Sequence, residues 1–130
     1  MITMELARRL GAAGVLWEPA PGDRFTIDQP NVAGEVFWIS HLTIDVHTFH
    51  GQPLIGFNGT TEWALDSVTL DTALWLPRED QLRVLIGDRF DSLRKDGEDW
   101  VLEVHDDRGR GEFRDPDTEC AYAQALLSFT

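Results

Sequence analysis

The six residues Trp100-Val101-Leu102-Glu103-Val104-His105 sit between two short turns rich in Asp and Gly, at residues 95–98 and 107–111. A side-chain period of two puts Trp100, Leu102 and Val104 on an inward face, with Val101, Glu103 and His105 outward. Strands joined by links this short run antiparallel, because a parallel crossover needs a dozen residues or more. Flanking strands are predicted over residues 89–93 and 112–113. An earlier segment carries the same constraint. Residues 42–49 alternate, with Leu42, Ile44 and Val46 on one side and His41, Thr43, Asp45 and His47 on the other. A turn at His50-Gly51-Gln52-Pro53 and a strand over 54–57 complete an antiparallel hairpin. Short strands are also predicted over 24–27 and in the apolar run Val36-Phe37-Trp38-Ile39, and Val15-Leu16-Trp17 looks extended.

Helical signals punctuate this β pattern. Thr3 is placed to cap a first helix whose Leu6 and Leu10 share a face, and Gly14 suits the left-handed position after it. In the central helix Pro77 takes a first helical position, Glu79 and Asp80 complement the N-terminal dipole, and Gly87 closes it. Leu82, Leu85 and Ile86 form its buried stripe, and Trp75 or Leu76 could staple its entry. Asp115 and Pro116 start a last helix with Tyr122, Leu126 and Phe129 on one face. The pattern predicts an α+β class: one domain over residues 1–130, with an antiparallel sheet of about six to seven strands packed by N-terminal, central and C-terminal helices.

Composition narrows the function classes. At 130 residues and 42% hydrophobic content, the chain can bury a core without staples. Cys120 is the only cysteine, which excludes an intramolecular disulfide and a Cys-rich zinc site; its helical setting predicts a small buried thiol. A net charge of -12 repels phosphate backbones and argues against a nucleic-acid partner. No cationic start precedes a long apolar run, so neither a signal peptide nor a membrane partner is expected, and the default location is cytoplasmic.

The candidate site is the run Gly56-Phe57-Asn58-Gly59-Thr60-Thr61-Glu62-Trp63-Ala64-Leu65-Asp66-Ser67, with Trp75 beyond it. Asn58 and Gly59 end a strand, and Thr60 or Thr61 could cap a short helix. Asn58, Thr60, Thr61, Glu62, Trp63, Asp66 and Trp75 are therefore the predicted ligand- or partner-binding residues, since aromatics beside polar groups suit binding hot spots. The competing reading of Trp63 and Trp75 is that they pin the helix onto the sheet. Trp17, Trp38 and Trp100 fall in apolar strand patterns and are expected in the core. Glu62 and Asp66, four apart, would share a helix face and could raise one pKa, which gives an acid–base enzyme as an alternative. His41, Asp45, His47 and His50 permit a metal site, yet they fall where a solvated sheet face would be polar in any case, and no metal is predicted. No Gly-x-Ser-x-Gly or P-loop pattern occurs, so no catalytic residue or cofactor is predicted.

The stretches Phe57-Asn58-Gly59-Thr60-Thr61-Glu62-Trp63-Ala64-Leu65-Asp66-Ser67-Val68 and Leu74-Trp75-Leu76-Pro77-Arg78-Glu79-Asp80-Gln81-Leu82 resemble a group of short actinobacterial proteins. Some of that group carry a pilus-assembly label of the CpaE type. Proteins of that name look like P-loop ATPases, and this chain has no P-loop. The second stretch and the Ala-rich ending are also similar to small phage-encoded α+β proteins. The resemblance covers most of the chain and implies no residue-level role. The expected function is a non-catalytic binding or accessory domain, monomeric or homodimeric, with an unknown protein or small molecule as partner. An acidic inhibitor or immunity-type protein is a further alternative, motivated by the net charge.

Overall fold

The structure, a computed structural model, describes residues 1–30, 34–40, 44–49, 52–57, 67–69 and 72–130. It is α+β; the described residues hold three α-helices and nine strands, the strands in antiparallel sheets. The strands do not join into one sheet of six or seven. They form three sheets of three: two of them pair strands within residues 44–69 and 90–115, and the third joins residues 24–27 to 37–38 and 73–75. The chain forms two compact units, Met1–Leu16 with Pro77–Thr130 and Trp17–Leu76.

In the first unit, α1 (Met4–Ala12) starts at Thr3, whose hydroxyl accepts from the Leu6 N–H at 3.2 Å. It ends in a Schellman turn: Val15 N–H reaches Leu10 O, Gly14 N–H reaches Gly11 O, and Gly14 has φ of +95°. Helix α2 (Glu79–Ile86) has Arg78 at its N-cap, with the Gln81 side chain accepting from the Arg78 N–H at 2.9 Å. Pro77 thus stands before the cap and not at the first helical position. Its missing N–H and fixed φ suit either place, and the Gln81 bond selects the cap. Gly87 ends the helix at φ +61°; Leu82 and Ile86 are buried and Leu85 is half-buried.

Strands β7 (Phe90–Asp96), β8 (Asp99–Asp106) and β9 (Gly109–Asp115) form the sheet of this unit, in that order. β7 and β9 run longer than predicted, so residues 95 and 96 lie in the ladder and the turn is only Gly97-Glu98. Gly97 supplies the positive φ of +63° that such a turn requires. Val101, expected outward, is fully buried. Its register neighbours are Arg94 and Arg114, whose charged heads are held by Asp96 and Glu112, so their aliphatic stems flank it.

Helix α3 (Thr118–Ser128) packs against α1, α2, β8 and β9. A helix with neighbours on so many sides is apolar nearly all round, which is why Cys120, Ala121, Tyr122, Ala123, Ala125 and Leu126 are all buried. Its N-cap is Asp117, two residues later than predicted. Asp115 instead accepts from the Asp117 N–H at 2.9 Å, and that turn hands the cap to Asp117, which accepts from Glu119 N–H at 2.8 Å.

In the second unit, β1 (Arg24–Ile27) is the fully buried centre of a sheet ordered β2 (Phe37–Trp38), β1, β6 (Ala73–Trp75). The other sheet is β3 (Ile44–Phe49), β4 (Gln52–Phe57), β5 (Ser67–Thr69). The β3–β4 hairpin forms as expected, although Gln52 and Pro53 belong to the strand and not to the turn. Pro53 lies beyond the stretch of β4 that pairs with β5, where a missing N–H costs least. Trp38, expected in the core, is 51% exposed because β2 is an edge strand. Trp17 and Trp100 are half-buried.

Candidate functional site

Of the residues predicted to bind a partner, Asn58, Thr60, Thr61, Glu62, Trp63 and Asp66 lie outside the described residues, as do His41 and His50. Trp75 is described, and its surroundings begin with a proline–glycine turn. Asp23 is buried after Pro19-Ala20-Pro21-Gly22, where its carboxylate accepts from the Trp17 indole N–H at 2.9 Å and from the Ala20 N–H at 3.0 Å. That pair of bonds fixes the Trp17 ring. The Trp75 ring stacks on Trp17 with centroids 6.4 Å apart and planes within 4°, and Trp17 also meets Phe25 at 5.8 Å. Phe25 continues the cluster to Phe37 at 5.5 Å. Trp75 is half-buried, and its indole N–H is buried with no hydrogen-bond partner among the described residues. Trp75 is therefore a rigid member of an aromatic cluster with part of its surface open. Arg24, buried beside this cluster, donates to Leu76 O at 3.2 Å and places its guanidinium 5.7 Å from the Trp38 ring.

A second arrangement, absent from the sequence-based candidates, lies on the polar face of the β7–β9 sheet. The ladder sets Ser92 opposite Glu103 and Glu103 opposite Glu112, with His105 opposite Arg110 in the next row of that face. Directly opposed residues share a face with Cβ atoms about 5 Å apart. The register shifts between Phe90 and Ser92, so Asp91 occupies a bulge. Regular alternation would send neighbours Asp91 and Ser92 to opposite faces. Instead Asp91 reaches His105, Oδ1 to Nδ1 at 2.7 Å, while Ser92 donates to Glu103 Oε2 at 2.9 Å. The bulge aims two consecutive polar side chains at one face.

Asp91, Ser92, Glu103, Arg110, Gly111 and Glu112 line an open cleft of about 510 Å3 on this face. Glu112 accepts from Arg114 Nε at 3.1 Å and stands 3.9 Å from Arg94. Arg114 also donates to Asp96 at 2.8 Å, and that bond holds the Asp96 carboxyl below the usual carboxylate range. Arg110 makes no ion pair among the described residues, although the chain carries 23 acidic side chains. Nδ1 of His105 is engaged by Asp91, and the side chain as a whole is about half exposed. The two-residue turn at Asp107-Arg108 was the available signal for this face, since it fixes His105 opposite Arg110.

Among the described residues, no group of three or more His, Cys, Asp or Glu could hold a metal ion. Cys120 is buried, its Sγ 3.9 Å from Met1 O, and burial pushes its thiol pKa up, which makes it a poor nucleophile. Among the described residues no helix is long and apolar enough to cross a membrane. No family model, curated protein or solved structure matches the chain.

Proposed function

We propose that the chain is a small, cytoplasmic, non-catalytic binding or accessory module, whose protein or small-molecule partner engages the 56–76 segment. The observation that carries this reading is the Trp17–Trp75 stack, with planes within 4° and Trp75 half-buried. A large ring already immobilised by its neighbours loses little entropy when a partner covers its open part, which is what a binding anchor needs. Asn58, Thr60, Thr61, Glu62, Trp63 and Asp66 add hydrogen-bonding groups and a second tryptophan in the same stretch of sequence. The net charge of -12 supports a partner other than nucleic acid. The test compares proteins captured from a native lysate by the parent chain with those captured by Trp63→Ala and Trp75→Ala. Both variants are expected to lose a specific partner while keeping the parent far-UV spectrum. Undiminished capture by two folded variants would remove the segment from the interface.

The same net charge supports a second reading, an acidic inhibitor or immunity-type protein that neutralises a basic partner. Salt separates the two. Binding led by exposed charge falls steeply between low and physiological ionic strength, whereas binding anchored on tryptophan changes little.

A further inference from the structure

We propose that the cleft on the β7–β9 sheet binds a small zwitterion of dipeptide length, its carboxylate on Arg110 and its ammonium on Glu103 and Glu112. Three features converge on this assignment. The first is the bulge at Asp91, which brings Asp91 and Ser92 to one face and engages His105 and Glu103. A bulge that re-aims side chains into a cleft is a built feature, because it gives up regular ladder pairing to do so.

The second is charge. Glu103 and Glu112 are opposed across the ladder, and like charges in that relation repel. Ser92 satisfies part of Glu103, and Arg114 with Arg94 part of Glu112. An ammonium between the two carboxylates relieves the repulsion that remains. Arg110, in the adjacent row, makes no ion pair among the described residues, so its planar donor fork is free for a carboxylate. His105 stands opposite it in register, its ring oriented by Asp91.

The third is spacing. The Glu103–Glu112 row and the His105–Arg110 row are two residues apart along each strand, about 7 Å at the usual rise. That distance suits a ligand whose charged ends are separated by several bonds, and not the adjacent charges of a free α-amino acid. The cleft, at about 510 Å3, has room for such a molecule.

The test is an amide-resolved NMR titration of the full chain with glycylglycine, with glycine, acetate and methylammonium as separate probes. Glycylglycine is expected to give saturable shifts at Ser92, Glu103, Arg110 and Glu112, with each other probe binding at least about tenfold more weakly, roughly 1.4 kcal/mol. Arg110→Gln and Glu112→Gln should each weaken glycylglycine by a similar factor while leaving spectral dispersion intact; both residues are exposed, so neither change threatens folding. Equal affinity for acetate would make this an anion site only, and equal affinity for methylammonium a cation site only. Either result overturns the proposal, as does equal affinity for glycine or the absence of saturable shifts in the cleft. None of these outcomes depends on the 56–76 segment.

Discussion

Tyr122 offers a sharp test of the packing in the first unit. Its side chain is fully buried in α3, yet its hydroxyl finds no hydrogen-bond partner among the described residues. A buried polar group left unsatisfied costs about 1–3 kcal/mol relative to a paired or solvated one. Tyr122→Phe keeps the ring and removes only the oxygen. The void it leaves is about one atom in size and costs a few tenths of a kcal/mol at about 24 cal/mol per Å3. The balance predicts a gain of about 1 kcal/mol in the stability of this unit. Because the chain forms two compact units, a global signal could mix two transitions. Native-state hydrogen exchange at the α3 amides, under conditions where exchange reports equilibrium opening, isolates the relevant one. The protected amides of α3 should exchange about fivefold more slowly in Tyr122→Phe than in the parent. Faster exchange would refute the reasoning, because it would mean that the hydroxyl is hydrogen-bonded in the native state and that the bond is worth more than its desolvation.

Other consequences follow from the caps and the thiol. Asp117→Ala removes the acceptor for the Glu119 and Cys120 N–H groups and should cost about 1 kcal/mol by urea unfolding, whereas Asp117→Asn should recover most of it. Partial burial raises the Asp117 carboxyl, but the bond and charge of the Met1 ammonium and the two backbone N–H groups outweigh it and hold the pKa below the ordinary 3.8. A depressed folded pKa means that this contribution is complete above pH 3.8 and lost as pH falls through the folded value. Acid titration of the parent should therefore show a loss below pH 3.8 that Asp117→Asn lacks. Cys120 should resist a soluble disulfide reagent in the native chain and release one equivalent of thiol in denaturant; rapid native labelling would place it at the surface.

The parts of the fold that were legible in the sequence are those governed by a few consecutive residues. Thr3, Gly14, Gly87 and Gly97 stand where cap and turn chemistry places them, because each requirement, a side-chain acceptor or a positive φ, is met by one residue type at one position. Errors of one or two residues arose where two neighbours could serve the same role. Asp115 and Asp117 both suit a cap, and Pro77 suits the position before the cap as well as the one after. The expected burial of Trp38 and the expected exposure of Val101 failed for a different reason. Burial on a strand depends on what lies across the sheet: an edge position for Trp38, and two anchored arginines for Val101. The ladder that sets Phe25 opposite Trp75 joins distant segments, and no local pattern announces it.

The polar face of β7–β9 shows where such reading could have gone further. A two-residue turn at 107–108 dictates that His105 faces Arg110 and that Glu103 faces Glu112, so half of the cleft was determined once β8 and its turn were recognised. The other half required the bulge. Asp91 and Ser92 are adjacent, alternation separates them, and no glycine marks the irregularity between Phe90 and Ser92. A regular β7 would have left His105 without Asp91, or Glu103 without Ser92, since one register shift moves a side chain to the other face. Both pairs exist because the strand gives up one ladder position. The cost is local and the pairs it creates line a cleft, so the bulge is the element of this fold whose geometry is best explained by what it presents.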